Sequence, residues 1–200
     1  MNVFYSFRKS IAAAFLLLCH ATAAQIPFYN PKAEQWADSV LKTMSLEERI
    51  GQLFMAYSRS DKEAKPDSMA AIIRNYHIGG IMFLKGSPLR QAELTNYFQD
   101  QAKHKMLIAI DAEWGLQMRL DSTQRFPRQM TFGAMPYDSS VYFMAAEIAR
   151  QCRRMGIHIN FAPVIDINNN ALNPVINTRS FGESKELVAQ LGLLYMNGLQ

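Results

Sequence analysis

Apolar positions along this chain recur with two alternating periods, one helical and one strand-like. From Pro31 to Met44 the residues Trp36, Val40, Leu41 and Met44 fall at helical spacing. Ser45-Leu46-Glu47-Glu48 then has the form of a capping box opening a second, short helix. The run Gln52 to Tyr57 predicts a first strand, Met69, Ile72, Ile73 and Tyr76 a helix stripe, and Ile78 to Leu84 a second strand. Ser87-Pro88 supplies a cap and a first helical residue for a segment with Leu94, Tyr97 and Phe98 on one face, and Met106 to Ile110 predicts a third strand. A helix from about Asp138 carries Val141, Met144, Ala145, Ile148, Cys152 and Met155, with Gly156 as its stop. Ile157 to Ile167 reads as a fourth strand, 168 to 182 as an Asn-rich polar loop, and Leu187, Val188, Leu191, Leu194 and Tyr195 as a last helix.

Strands that each lead into a helix define an α/β fold with parallel strands, and units of this length suit a (β/α) TIM-like barrel. A barrel of that kind needs eight strands and about 250 residues, whereas about four strand-helix units are readable in this sequence. The expectation is therefore the N-terminal half of a barrel, with unpaired strand edges and uncovered apolar faces that favour association. In such barrels functional side chains sit just beyond the C-terminal ends of strands. Asp111, Glu113 and Arg119 occupy that place after strand three, and Asp166 and Arg179 after strand four.

The N-terminus changes the count of structural residues. Arg8 and Lys9 precede an apolar run from Ile11 to Leu18, followed by Ala21-Thr22-Ala23-Ala24, which is the layout of a secretory signal. The run is shorter than the roughly 20 residues a membrane span requires. Residues 1 to about 24 are expected to be removed, leaving 25–200 as the barrel segment in a periplasmic or secreted protein, without stable membrane insertion. Cleavage at Cys19, as in a lipoprotein, is the weaker alternative because Leu18 precedes it. Loss of Arg8 and Lys9 lowers the formal charge from +4 to +2, and no stripe of basic residues with interleaved aromatics suggests nucleic acid. Of the two cysteines Cys152 alone would remain, so an internal disulfide is not expected in spite of the oxidising compartment.

The chemistry-bearing residues admit two readings each. Asp111 and Glu113 alternate along an extended segment, so both are expected to point the same way, as hydroxyl-binding or catalytic carboxylates or else as helix caps and salt-bridged acids. Arg119 and Arg179 offer guanidinium forks for hydroxyls or carboxylates, or are solvated charges. Trp114 presents an indole face suited to sugar C–H groups or to packing. Asp166, Asn168 and Asn170 imitate the start of a calcium loop, but Ala171 stands where the turn needs glycine and Asn177 where it needs glutamate. Ser39 to Lys42 matches S-x-x-K without its companion motifs, and no metal-ligand spacing or phosphate- or dinucleotide-binding loop implies a cofactor. Cys152 lies on an apolar helix stripe and reads as core.

Several segments taken together resemble glycoside hydrolase family 3. They are M-S-L-E-E-R-I-G-Q-L-F (Met44 to Phe54), I-G-G-I-M-F (Ile78 to Phe83), I-A-I-D-A-E (Ile108 to Glu113), F-P-R-Q-M-T-F-G-A (Phe126 to Ala134), N-F-A-P-V-I-D-I (Asn160 to Ile167) and R-S-F-G-E (Arg179 to Glu183). The loop before R-S-F-G is similar to that of the β-N-acetylhexosaminidase branch, with β-glucosidases and β-xylosidases as the rival branch and a non-catalytic glycan-binding module as a different class of protein. The resemblance implies a carbohydrate substrate gripped at its non-reducing end by Asp111, with Arg119 and Arg179 in the same subsite and Glu113 structural. It also implies retaining hydrolysis, in which two groups flank the scissile bond. The family's K-H-F-P-G-H-G segment and nucleophile segment do not occur in this sequence, so no residue is assigned a catalytic role, and residues 25–200 alone are expected to be inactive on p-nitrophenyl N-acetyl-β-glucosaminide. The family pattern D-x-E-G-G departs here at Trp114, which stands for the first glycine and raises the question of the loop's path.

Overall fold

The computed structural model describes residues 30–135 and 139–200. The expected signal segment, residues 1 to about 24, lies outside the described residues. The chain divides into two compact units, one ending at Thr43 and one spanning Met44–Gln200. In the first, helix α1 (Pro31–Thr43) opens where the Asn30 side chain accepts from the Lys32 and Ala33 amides, and it buries none of its residues.

The second unit begins with the capping box. The Ser45 hydroxyl accepts from the Glu48 amide, and the Glu48 carboxylate accepts from the Ser45 amide, which starts α2 (Leu46–Gly51). Strand β1 then runs Met55–Ser60, not Gln52 to Tyr57 as the apolar run suggests. Leu53 and Phe54 form the turn between the two elements, their amides donating to Ile50 and Gly51 carbonyls, with Leu53 84 % exposed. Helix α3 (Pro66–Tyr76), β2 (Gly80–Gly86), α4 (Pro88–Gln101) and β3 (Leu107–Ile110) follow in strict alternation. Ser87 caps α4 and Pro88 is its first residue, as the dipeptide requires. Helix α5 (Gln129–Gly133) is a short addition on the loop after β3, and α6 (Ser140–Arg154) ends at Gly156 with φ +67°. Strand β4 (Ile159–Asn160) and helix α7 (Lys185–Leu199) complete the unit.

The four strands form one parallel sheet in the order β1-β2-β3-β4, each beside its predecessor. This is the progression of a (β/α) barrel through its first units. Strand β4 pairs only over Ile159–Asn160, against Ala109 and Ile110. The expected strand continues to Ile167, but β3 turns away after Ile110 and leaves the later residues without a ladder partner. Ile81, Phe83, Ile108 and Ile110 of the sheet, each essentially inaccessible, meet Ile73, Phe98, Ile148 and Tyr195 of the surrounding helices. Cys152 belongs to the same cluster, and burial pushes its thiol up to about 11.

Two of the resembling segments lock together through glycines. A Cβ on Gly51 would lie 2.0 Å from the Tyr76 carbonyl oxygen, and one on Gly79 would lie 2.2 Å from that of Gln52. The Gln52 amide group also donates to the His77 carbonyl at 2.7 Å. The I-G-Q and I-G-G segments are therefore opposite sides of one backbone contact that seats α2 under the sheet.

Candidate functional site

The exit from β3 carries the charged residues, and its path is fixed from several directions. The Asn160 side chain accepts from the Ala112 amide at 3.0 Å and donates to the Ala112 carbonyl at 3.2 Å. The Glu113 carbonyl accepts from Gln129 Nε2 at 2.7 Å and from the Tyr195 hydroxyl at 2.9 Å. Gly115 adopts φ +95°, and a Cβ there would sit 2.6 Å from the Phe126 ring. Trp114 is not among the residues with positive φ. The loop thus demands glycine at its second position, while Trp114 occupies the first without a positive φ.

Asp111 and Glu113 do not point the same way. The strand ends at Ile110 and the chain enters a turn, so the two-residue alternation is lost. The Asp111 side chain is partly exposed and pairs with the Arg119 guanidinium, while Arg119 Nε donates to the Asp111 carbonyl at 2.8 Å. Arg119 is itself held by the backbone, because Gly86 at the end of β2 donates to its carbonyl at 3.1 Å. Glu113 is only 1 % exposed and receives Arg179 in a forked pair, Nη2 to Oε1 at 2.6 Å and Nε to Oε2 at 2.9 Å. Arg179 also donates from Nη1 to the Val175 carbonyl. Its proton is held more tightly than usual, chiefly through the Glu113 hydrogen bond, with the charges of Glu113, Asp111 and Asp166 adding to it.

The rim therefore carries two acid–arginine pairs of different character. In the first, the acid and the base are both reachable by solvent, and the pair offers acceptor and donor atoms side by side. In the second, the acid is buried and the base is about a third exposed, so Glu113 fixes Arg179 without itself facing a ligand. Arg119 and Arg179 retain unengaged N–H donors among their five each. Alternating donors and acceptors held in place by buried partners are what recognition of a polyhydroxylated ligand requires.

Sequence reasoning names Asp111, Arg119 and Arg179, and the structure brings them to one end of the sheet. The sequence alone does not reveal the Glu113–Arg179 pairing, which spans 66 positions, nor the supporting roles of Asn160, Gln129 and Tyr195. Asp166 is exposed, and its carbonyl accepts from the Ser180 hydroxyl at 2.5 Å, anchoring the R-S-F-G turn. That turn packs against F-P-R-Q-M-T-F-G-A so closely that a Cβ on Gly133 would meet the Phe181 carbonyl oxygen at 1.5 Å.

A parallel sheet of four strands in sequential order, with helices between them and a charged rim at its strand exits, defines a partial (β/α) barrel. Residues 45–200 match the glycosyl hydrolase family 3 N terminal domain, and the chain belongs to that family. Beta-hexosaminidase A of Pseudoalteromonas piscicida is 30% identical over 94% of this chain and 33% of its own length. A beta-N-acetylglucosaminidase/beta-glucosidase of Cellulomonas fimi is 29% identical over 82% of this chain and 29% of its own. Among solved structures, a family 3 beta-N-acetylglucosaminidase from Paenibacillus sp. str. FPU-7 superposes with a TM-score of 0.69 at 36% identity, over 78% of this chain and 31% of that one. A beta-glucoside phosphorylase, BglX, shares the fold with a TM-score of 0.80 at 22% identity, over 86% of this chain and 31% of that one. The chain spans about a third of the length of these relatives.

Proposed function

We propose that this chain forms the sugar-gripping rim of an exported, retaining exo-β-N-acetylhexosaminidase that releases non-reducing terminal N-acetylglucosamine. The observation that carries the reading is the pair of clamped guanidinium groups at the exits of β3 and β4, with the partly exposed Asp111 carboxylate beside them. Asp111 accepts from sugar hydroxyls, while Arg119 and Arg179 donate to them. Glu113 acts only through Arg179. None of the described side chains is assigned to attack the anomeric carbon or to protonate the leaving group. The hexosaminidase names of the relatives support the choice of sugar, and the N-terminal Arg8-Lys9 and Ile11 to Leu18 layout supports export to the periplasm or beyond.

Titration calorimetry of the full chain with N-acetylglucosamine and with glucose tests this. The expected result is preferential binding of the acetamido sugar, weakened about tenfold or more in Asp111→Asn, since a charged hydrogen bond is replaced by a neutral one. A preference for glucose would move the protein to the glucosidase branch. Unchanged affinity in Asp111→Asn would remove Asp111 from the site.

A further inference from the structure

Glu113 holds Arg179 at its guanidinium tip, but a single ion pair leaves the backbone behind it free to pivot. Thr178 and Arg179 share one turn of 3₁₀ helix, Asn177–Arg179. Downstream of that turn the chain is seated by Phe181 against Gly133. Upstream, from Asn170 to Ile176, the hydrogen bonds among the described residues stay within the loop and tie it to nothing else. What orients the turn must therefore come from its own side chains.

A second tie reaches the same turn. Arg128 Nη1 donates to the Thr178 hydroxyl at 2.9 Å, and the Arg128 guanidinium carbon stands 4.6 Å from the centre of the Trp114 ring, a cation–π distance. Trp114 follows Glu113 and Thr178 precedes Arg179, so the loops after β3 and β4 are joined at two successive positions, once directly and once through Arg128. With about three residues per turn, side chains at 178 and 179 leave a 3₁₀ helix about 120° apart. Ties in two such directions fix the rotation of the turn as well as its place. The base of Arg128 is itself steady, because the next residue, Gln129, is buried and donates to the Glu113 carbonyl at 2.7 Å. Its tip depends on the indole and the hydroxyl: it has no carboxylate partner among the described residues, and Trp114, Arg128 and Thr178 line a cavity of about 720 Å³ into which it could swing.

We propose that Arg128, braced on the Trp114 indole, is a positioning residue that sets the direction in which Arg179 meets its ligand. Arg128 does not touch that ligand; it acts through the Thr178 hydroxyl on the turn that carries Arg179. Trp114 supplies the face on which Arg128 lies, so the residue that departs from the family's glycine becomes part of the brace. The ligand's being a sugar rests on the proposed function, whereas the geometric role of Arg128 does not.

The Nε–H of Arg179, bonded to the buried Glu113 carboxylate, is a reporter that needs no ligand. Its signal in nitrogen-15 spectra of the full chain is assigned by its loss in Arg179→Lys, and its exchange with water is measured. Exchange should be at least about threefold faster in Arg128→Met and in Trp114→Ala, with Arg128→Lys and Trp114→Phe in between, since each keeps part of the brace. Arg125→Met removes an equal charge from the wall of the same cavity and should leave the rate unchanged. An unchanged rate in Arg128→Met, or an equal rise in Arg125→Met, overturns the positioning role. Calorimetry with N-acetylglucosamine adds a cycle: Arg128→Met should weaken binding by at least about threefold in the wild-type chain and not at all in Arg179→Met. Additive losses would make Arg128 a sugar contact and overturn the role as well. Absence of sugar binding in the wild-type chain would defeat the sugar grip, and the exchange rates would still decide for or against Arg128.

Discussion

Glu113→Gln isolates the contribution of a carboxylate that faces protein and not solvent. The substitution keeps the size of the side chain and leaves the main-chain carbonyl bonded to Gln129 and Tyr195. It removes the charge opposite Arg179 and replaces one acceptor oxygen by a donor that meets the guanidinium. Breaking one side of a buried ion pair costs about 3–5 kcal/mol. Two features reduce that figure here: Arg179 is 31% exposed and can rehydrate, and glutamine retains one acceptor. The expected loss is about 2 kcal/mol, which for a unit of this size lowers Tm by about 4–8 °C. Arg179→Met should cost more, because it strands the inaccessible carboxylate. The double variant should cost less than the sum, with a coupling of about 2 kcal/mol in a double-mutant cycle read by thermal unfolding. Sugar affinity should fall in Glu113→Gln even at temperatures where the variant is fully folded, since Arg179 is no longer clamped. A Tm within about 1 °C of wild type, or additive costs in the cycle, would refute the assignment of Glu113 as the residue that fixes Arg179.

Other consequences are equally open to measurement. The hydrogen bond from Lys103 and that from the Ser45 amide hold the Glu48 carboxyl down from 4.5 to about 2, so its stabilising effect is complete above the ordinary value and is lost as pH falls through the folded one. The stability difference between wild type and Glu48→Gln, followed by urea unfolding, should therefore be constant above about pH 5 and shrink between about pH 4.5 and 2. In a Cys19→Ser background, Cys152 should react with a thiol reagent near pH 8 at least about a hundredfold more slowly when folded than in denaturant, because burial raises its pKa and hides the sulfur. Gly115→Ala should destabilise by about 2–3 kcal/mol, combining positive φ with a clash against Phe126, whereas Gly156→Ala, where nothing lies within 4 Å of the added carbon, should cost only about 1 kcal/mol. Equal costs at the two glycines, read by denaturant midpoints, would show that the Phe126 wall yields.

What could be read from the chain and what could not divides along the range of the interactions. The capping box at Ser45, the Ser87-Pro88 start and the stripes of α6 and α7 are legible because their partners lie within a turn or two. Strand limits are less legible because pairing is decided elsewhere. Leu53 and Phe54 have the composition of a strand yet form a turn, since Gly51 must first pass against Tyr76 and His77. Residues beyond Phe161 have the composition of β4 but no neighbour to complete a ladder. At the site, Asp111 and Arg119 are eight positions apart and could be associated by inspection. The side-chain partner of Glu113 is 66 positions away and its carbonyl partners are 16 and 82 positions away, so nothing beside it in sequence distinguishes its acid from that of Asp111. The path around Trp114 was in question for a similar reason: only the observed φ at Gly115 shows which of the two positions must be glycine.

The hydrogen bond from Tyr195 to the Glu113 carbonyl also sets a schedule for the nascent chain. During synthesis Asp111 and Arg119 can meet almost at once, but Glu113 waits for a tyrosine 82 residues downstream. At about 5–20 residues per second that interval lasts about 4–16 seconds. Within it the supports of the loop after β3 are synthesised one after another, Gln129 first, then Asn160, Arg179 and last Tyr195. The loop's set of supports is therefore complete only when α7 docks, and a ribosomal pause between Arg179 and Tyr195 would leave the Glu113 carbonyl with Gln129 as its partner until the tyrosine arrives.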